Sequence, residues 1–263
     1  MLTWNRYLLM VLLAIAVWPA SAQSQPQMKV PAVLVIGDAV YQQGQVVKQE
    51  LKANANVAIA AWPAHLLPNS TNAIEQIDLL LGFKDANGKD VPESKQTAWD
   101  LIHLNVGLGD LIYRVPNLKS HRSLPYDLGG VITTDAAQYE KNLDTLIQLI
   151  RKKSPKARII WASTTPIRSS NAKFFKPSSE VEYNEIAVGV MKKHGVPIND
   201  MHAYAQGVMN MDKPASQDPF FFDGKPIHPP IVETIARELN VPIKKPVEGR
   251  PSGTEPSEPI RGG

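Results

Sequence analysis

The chain has no cysteine. That excludes disulfide bridges and a lipid tether through an acylated cysteine, so the fold must rest on its apolar core alone. Charge of one sign is scarce too: 28 Lys and Arg stand against 25 Asp and Glu, a net +3 over 263 residues. No basic run is interleaved with aromatics, which leaves a nucleic-acid partner without support. No His-x-x-x-His or similar tight spacing offers a metal site, and no internal repeat is present. Tyr7 to Trp18 is apolar but too short to span a bilayer. What the chain does have is a hydrophobic fraction of 43%, enough for one α/β domain with a sizeable core.

The two ends read as something other than fold. Arg6, the apolar stretch from Tyr7 to Trp18 and Ala20-Ser21-Ala22 have the order of a signal peptide covering residues 1–22, with the mature chain starting at Gln23. The expectation is an exported protein, periplasmic or secreted, with no membrane contact once that segment is removed. From residue 244 onward Pro, Gly, Ser and Glu dominate without an apolar period, which predicts a disordered tail. Residues 23–243 remain as a single domain.

Within that domain, Val33 to Ile36 predicts a strand buried on both faces, ending at Gly37-Asp38. Val46, Val47 and Leu51 then share partial helical spacing. Val57 to Ala61 predicts a second strand, and Ser70 or Thr71 is placed to cap one helix carrying Ile74, Ile77 and Leu81, closed by Gly82. Trp99 to Val106 predicts a third strand running into Gly107-Leu108-Gly109-Asp110. A long connection over 111–133 follows, suited to a lid. Asp135 and Gln138 form a capping pair before a helix defined by Tyr139, Leu143, Leu146, Ile147 and Ile150. Arg158 to Ala162 is a fourth strand. Ser179 and Glu182 have capping-box spacing before a helix that Gly195 ends, Val196 to Ile198 is a short fifth strand, and Ile231 to Leu239 is the last helix. Strands alternating with helices in this rhythm predict a three-layer α/β/α domain on a five-stranded parallel sheet.

In such a sheet ligands bind at the carboxyl ends of the strands. The polar residues falling there are Asp38, Asn69 and Ser70, Gly107 to Asp110, and, in a later loop, Asp223 with His228. A nucleophile, a base and oxyanion donors converging on one carbonyl would need this distribution. The same Asp38, Asp110, Asp223 and His228 could instead offer hard ligands to a cation, although their spacing does not favour it. Each also has a structural role open to it: Asp38 as a turn and cap residue, Asp110 as an acceptor for loop amides, His228 as the entry to a helix beside Pro229-Pro230. His103 is predicted to pack inside its strand. His194 and His202 have no evident partner in the sequence.

Taken in order, these motifs resemble the SGNH (GDSL) hydrolase superfamily from Pro31 to Leu239. Gly37-Asp38-Ala39 stands where the family has Gly-Asp-Ser. Trp99 to Asp110 is similar to its third block, which ends Gly-x-Asn-Asp or Gly-x-His-Asp, and Asp223 with His228 falls where the last Asp-x-x-His block belongs. The segments Tyr139 to Leu143, Trp161 to Pro166, Tyr183-Asn184 and Val196 to Asp200 resemble those of exported bacterial members. The resemblance implies a flavodoxin-like fold, no cofactor, and ester hydrolysis by a block-one serine, a last-block histidine base and an aspartate that orients it. It further implies an oxyanion hole from the serine amide, a block-two glycine and the block-three asparagine.

Departures fall on those same positions. Ala39 has no hydroxyl, Gly109 has no side-chain donor, Pro68-Asn69-Ser70 offers no block-two glycine, and four residues separate Asp223 from His228 instead of two. The expectation is therefore a pocket lined by Asp38, Asn69, Ser70, Gly107, Gly109 and Asp110 that binds an acylated carbohydrate or related ester, with Ala39, Asp223 and His228 as remnants of a lost serine mechanism. The alternative is an active carbohydrate deacetylase or lipase-like hydrolase in which Ser70 substitutes as nucleophile or His228 activates a water.

Overall fold

The computed structural model describes residues 29–37, 44–118, 122–167, 173–210 and 226–243. The signal-peptide and tail expectations, together with Asp38, Ala39 and Asp223, lie outside the described residues.

β1 (Ala32–Ile36), β2 (Asn56–Ile59), β3 (Leu101–Leu104), β6 (Arg158–Ala162) and β7 (Ile198–Asn199) form one sheet in the order β2-β1-β3-β6-β7. Every pairing in it is parallel. The register aligns Leu34 with Ala58 on one side and with Ile102 on the other. The side chains alternate, so Leu34, Ile36, Ile102, Leu104, Ile159 and Trp161 face one core while Val33, Val35, Leu101, Ile160 and Ala162 face another. Helices α2 (Ser70–Glu75), α3 (Ile77–Leu80), α4 (Ala136–Lys153) and α5 (Ser179–His194) cover the first face. The second is covered by α1 (Gly44–Leu51), α6 (Met201–Val208) and α7 (His228–Leu239). This is the three-layer arrangement that strand burial on both faces requires.

The chain leaves β1 outward to β2 and then returns across β1 to β3. The carboxyl ends of β1 and β3 thus flank the switch in winding direction, where an α/β sheet opens a crevice. Gly37 and the Asn105–Asp110 segment lie at those ends.

Several local expectations change. The helix expected to run through Leu81 is two: Gln76, at φ −102° and ψ 14°, separates α2 from α3. Apolar spacing continues across that break and so conceals it. The α2 cap is Asn69, whose side chain accepts from the Asn72 amide, because Ser70 is engaged elsewhere. Asp135 caps α4 by accepting from Gln138 N, while the Gln138 side chain turns forward to Asn142 instead of closing a capping box. Ser179 does not cap α5. Its hydroxyl donates back to Lys176 O, and Ser178 precedes the helix at φ 62°. Helix α6 is additional to the sequence expectation, and α7 begins at His228, three residues early. The 111–133 connection contains a two-stranded antiparallel ribbon, β4 (Tyr113–Arg114) with β5 (Val131–Ile132).

His103 is fully buried, as expected, on the face carrying Leu101. Burial holds its imidazole neutral, lowering its pKa to about 3, and Nε2 lies 3.1 Å from the Asn199 amide nitrogen, so a polar bridge crosses the sheet from β3 to β7.

Leu104 is completely enclosed at the sheet centre. Truncating it in L104A leaves a cavity that rigid strands on both sides cannot close, and chemical denaturation is expected to register a loss of about 2–5 kcal/mol.

Candidate functional site

The floor of the crevice is backbone held by both main-chain and side-chain donors. Ile36 O accepts from Asn105 N at 2.8 Å, and Gly37 O accepts from Trp62 Nε1 at 2.7 Å, so the chain at the end of β1 is gripped by the segments that follow both neighbouring strands. Asn105 continues this on the helix α1 and α7 side. Its Nδ2 donates to Ala162 O at 2.8 Å, and Oδ1 is buried with no partner among the described residues.

Two glycines then allow close approach. Gly107 has extended backbone, so its freedom is not the issue: a Cβ there would lie 2.1 Å from Thr164 Oγ1. At Gly109 a Cβ would lie 1.9 Å from Pro68 O, a rigid main-chain atom. The loop after β3 and the segment before α2 are packed main chain to main chain, and no side chain fits at position 109.

Asp110 locks that contact. Its carboxylate accepts from Ser70 N at 2.9 Å and Ser70 Oγ at 2.6 Å. Ser70 Oγ in turn accepts from Asn142 Nδ2 at 2.8 Å, and Asn142 Oδ1 accepts from Gln138 Nε2 at 2.7 Å. The chain Gln138–Asn142–Ser70–Asp110 therefore joins α4, α2 and the β3 loop. Asp110 is completely buried, and burial raises its pKa to about 6 against the downward pull of the Ser70 bonds. Its charge also faces the first amide of α2, where a carboxylate is favoured.

His228 opens α7. Its Nε2 lies 2.9 Å from Glu50 Oε1 on α1, and its Nδ1 is buried without a partner among the described residues. Nε2 must carry the proton in that contact, because a carboxylate only accepts.

Of the expected site residues, then, Asn69, Ser70, Gly109 and Asp110 are gathered at one junction, and Gly107 adjoins it through the same loop. Asn69 and Ser70 are turned inward, onto α2 and Asp110, and Ser70 Oγ both donates and accepts in the buried chain. His228 is directed to Glu50. Asp110 and His228 therefore serve different partners, and among the described residues no three His, Cys, Asp or Glu side chains gather to hold a cation. Sequence reasoning missed Glu50, Asn105, Trp62 and Asn142. Asn105 and Asn142 lie inside segments that carry the resemblance but have no role assigned by it, Glu50 and Trp62 lie outside any such segment, and each of the four has a partner at least 25 residues away. His194 and His202 also gain partners, Asp144 at 2.8 Å and Glu180 at 3.5 Å.

The profile of the GDSL-like lipase/acylhydrolase family matches residues 36–230, from the end of β1 into α7. The chain belongs to that family. Solved structures agree on the fold. A lipase/acylhydrolase from Enterococcus faecalis is 15% identical, with 82% of this chain and 100% of that one aligned at a TM-score of 0.51. A GDSL-like lipase from Bacteroides thetaiotaomicron is 13% identical over 83% and 92% of the two chains, also at 0.51. Among curated proteins none matches the chain. In this GDSL-family chain the main-chain contact at Gly109 occupies the position that the sequence resemblance assigns to an asparagine donor.

The raised pKa of Asp110 makes a signed prediction. Folding favours its neutral form, so the benefit is full below the ordinary value of 3.8 and is lost as pH rises toward about 6. Relative to D110N, the parent is expected to lose stability over that window and to run parallel above it. Urea titrations of both proteins at several pH values check this, and curves parallel throughout would contradict it.

Proposed function

We propose that this chain is a ligand-binding member of the GDSL family, holding an acylated carbohydrate or related ester without the serine hydrolase chemistry. The observation that carries the reading is Ala39, in the position of the nucleophile: a methyl group has no lone pair with which to attack a carbonyl. Loss of a nucleophile costs on the order of 10⁶-fold in rate, and loss of one oxyanion donor about 10²- to 10³-fold.

The surroundings support the same reading. Gly109 offers no side-chain donor and no space for one. Ser70 Oγ is no substitute nucleophile, since it is buried and bonded to both Asp110 and Asn142. His228 holds its Nε2 proton toward Glu50, so that nitrogen is not available as a base for a hydroxyl or a water while the pair persists. Export belongs to this reading as well, on the strength of Arg6, the apolar segment after it and Ala20-Ser21-Ala22.

Turnover of short-chain p-nitrophenyl esters decides between binding and hydrolysis. The parent is expected to match an H228A control, and hydrolysis well above that control would overturn the proposal. G109N, offered as a way to rebuild the oxyanion hole, is expected to lower the melting temperature instead, because Pro68 O must be displaced. Partially acetylated xylo-oligosaccharides are expected to raise the parent's melting temperature more than their deacetylated counterparts.

A further inference from the structure

The ribbon β4–β5 springs from the loop that Asp110 anchors: Thr133 N donates to Ile112 O and Thr134 N to Asp110 O. A third extended segment adds to it, with Leu124 N donating to Tyr113 O and Val115 N to Arg122 O, and Tyr113 N donates to Phe174 O. This small platform carries a concentration of large apolar side chains that reach solvent. Leu118, Tyr126, Leu128, Val131 and Phe174 belong to it, and only Val30, Val46, Val181 and Ile243 are comparably exposed elsewhere among the described residues. Leu128 is the extreme case at 68% exposed, pushed outward where the chain turns through Gly129 at φ 87°. Tyr126 packs edge-on against Tyr113 with ring centres 5.6 Å apart.

Cations outnumber acids on the segments that form this surface. Arg114, Arg122, Lys173 and Lys176 lie on the same segments, against the single acid Asp127. Arg114 Nη1 donates to Leu118 O, which fixes a cation beside the apolar group. Exposed aliphatic and aromatic side chains on segments rich in lysine and arginine match the boundary of a bilayer, where apolar groups enter the acyl region and cations meet anionic headgroups.

We infer that this platform docks the protein reversibly on an anionic lipid surface. It departs from the expectation of a chain with no membrane contact. The contact is a peripheral one, and no helix among the described residues is long and apolar enough to cross a membrane. A second copy of the chain fits the patch poorly, because a two-fold contact would set its cations against each other. A glycan fits it poorly too. The most protruding group, Leu128, has neither a flat face for a sugar ring nor a hydrogen-bonding atom.

The absence of cysteine permits a direct test on the full chain. A polarity-sensitive fluorophore on D127C reports the platform, and the same fluorophore on N87C reports the turn near the amino ends of the strands. With vesicles of equimolar phosphatidylcholine and phosphatidylglycerol, the D127C label is expected to shift to the blue and the N87C label to stay unchanged. Phosphatidylcholine alone should give no shift, and added salt should weaken the effect. Adding L128D to D127C should reduce apparent vesicle affinity about tenfold or more while leaving the melting temperature within a few degrees of the parent. No D127C shift, equal shifts at both labels, equal binding to neutral vesicles, or an L128D protein that binds like the parent would each overturn the inference. So would an oligomer that L128D dissociates, since it would assign the patch to self-association.

Discussion

A buried carboxylate holds the working edge of this protein together. Asp110 sits out of water beneath the loop after β3 and accepts both the amide and the hydroxyl of Ser70. Removing an ionisable group from solvent is costly, and the cost is offset only while those donors stay in place. The bond therefore fixes where α2 begins, which loop lies over which, and how closely Gly109 approaches Pro68. Asn142 and Gln138 extend the same constraint to α4, so one edge of the crevice is as rigid as the sheet.

That rigidity bears directly on chemistry. An oxyanion hole needs donors directed into open space, and here the direction a side chain at position 109 would take runs into Pro68 O. Ser70 satisfies Asp110 instead of a ligand. Across the crevice His228 forms an ion pair or charge-assisted bond with Glu50, tying α7 to α1. Ser70, Asp110 and His228 thus act as joints between layers of the scaffold.

The β4–β5 platform is attached to this rigid edge at Ile112 and Thr134. A surface that contacts lipid through Leu128 and Tyr126 would therefore hold the crevice in a fixed orientation to it. The anchoring Asp110 network would thus set both the shape of the site and its presentation.

Much of this architecture was legible in the residues. The runs Val33 to Ile36 and Arg158 to Ala162 predicted strands, the first of them buried on both faces because such burial removes the polar alternation that marks a half-exposed strand. The glycine at 195 marked a helix end, and it takes the left-handed conformation there. Periodicity could not reveal the break at Gln76 or the cap at Asn69. The apolar spacing runs through the first, and the second was decided by a distant carboxylate taking Ser70 away. The sequence by itself determined the layered fold, the family, and the missing hydroxyl at position 39, since these depend on composition, local pattern and residue identity. Only the tertiary structure decided that Gly109 is closed, that Ser70 is spent on Asp110 and that His228 meets Glu50. Those facts come from contacts between segments far apart in the chain, and a hydrogen bond or a steric clash depends on ångström distances that residue spacing does not encode.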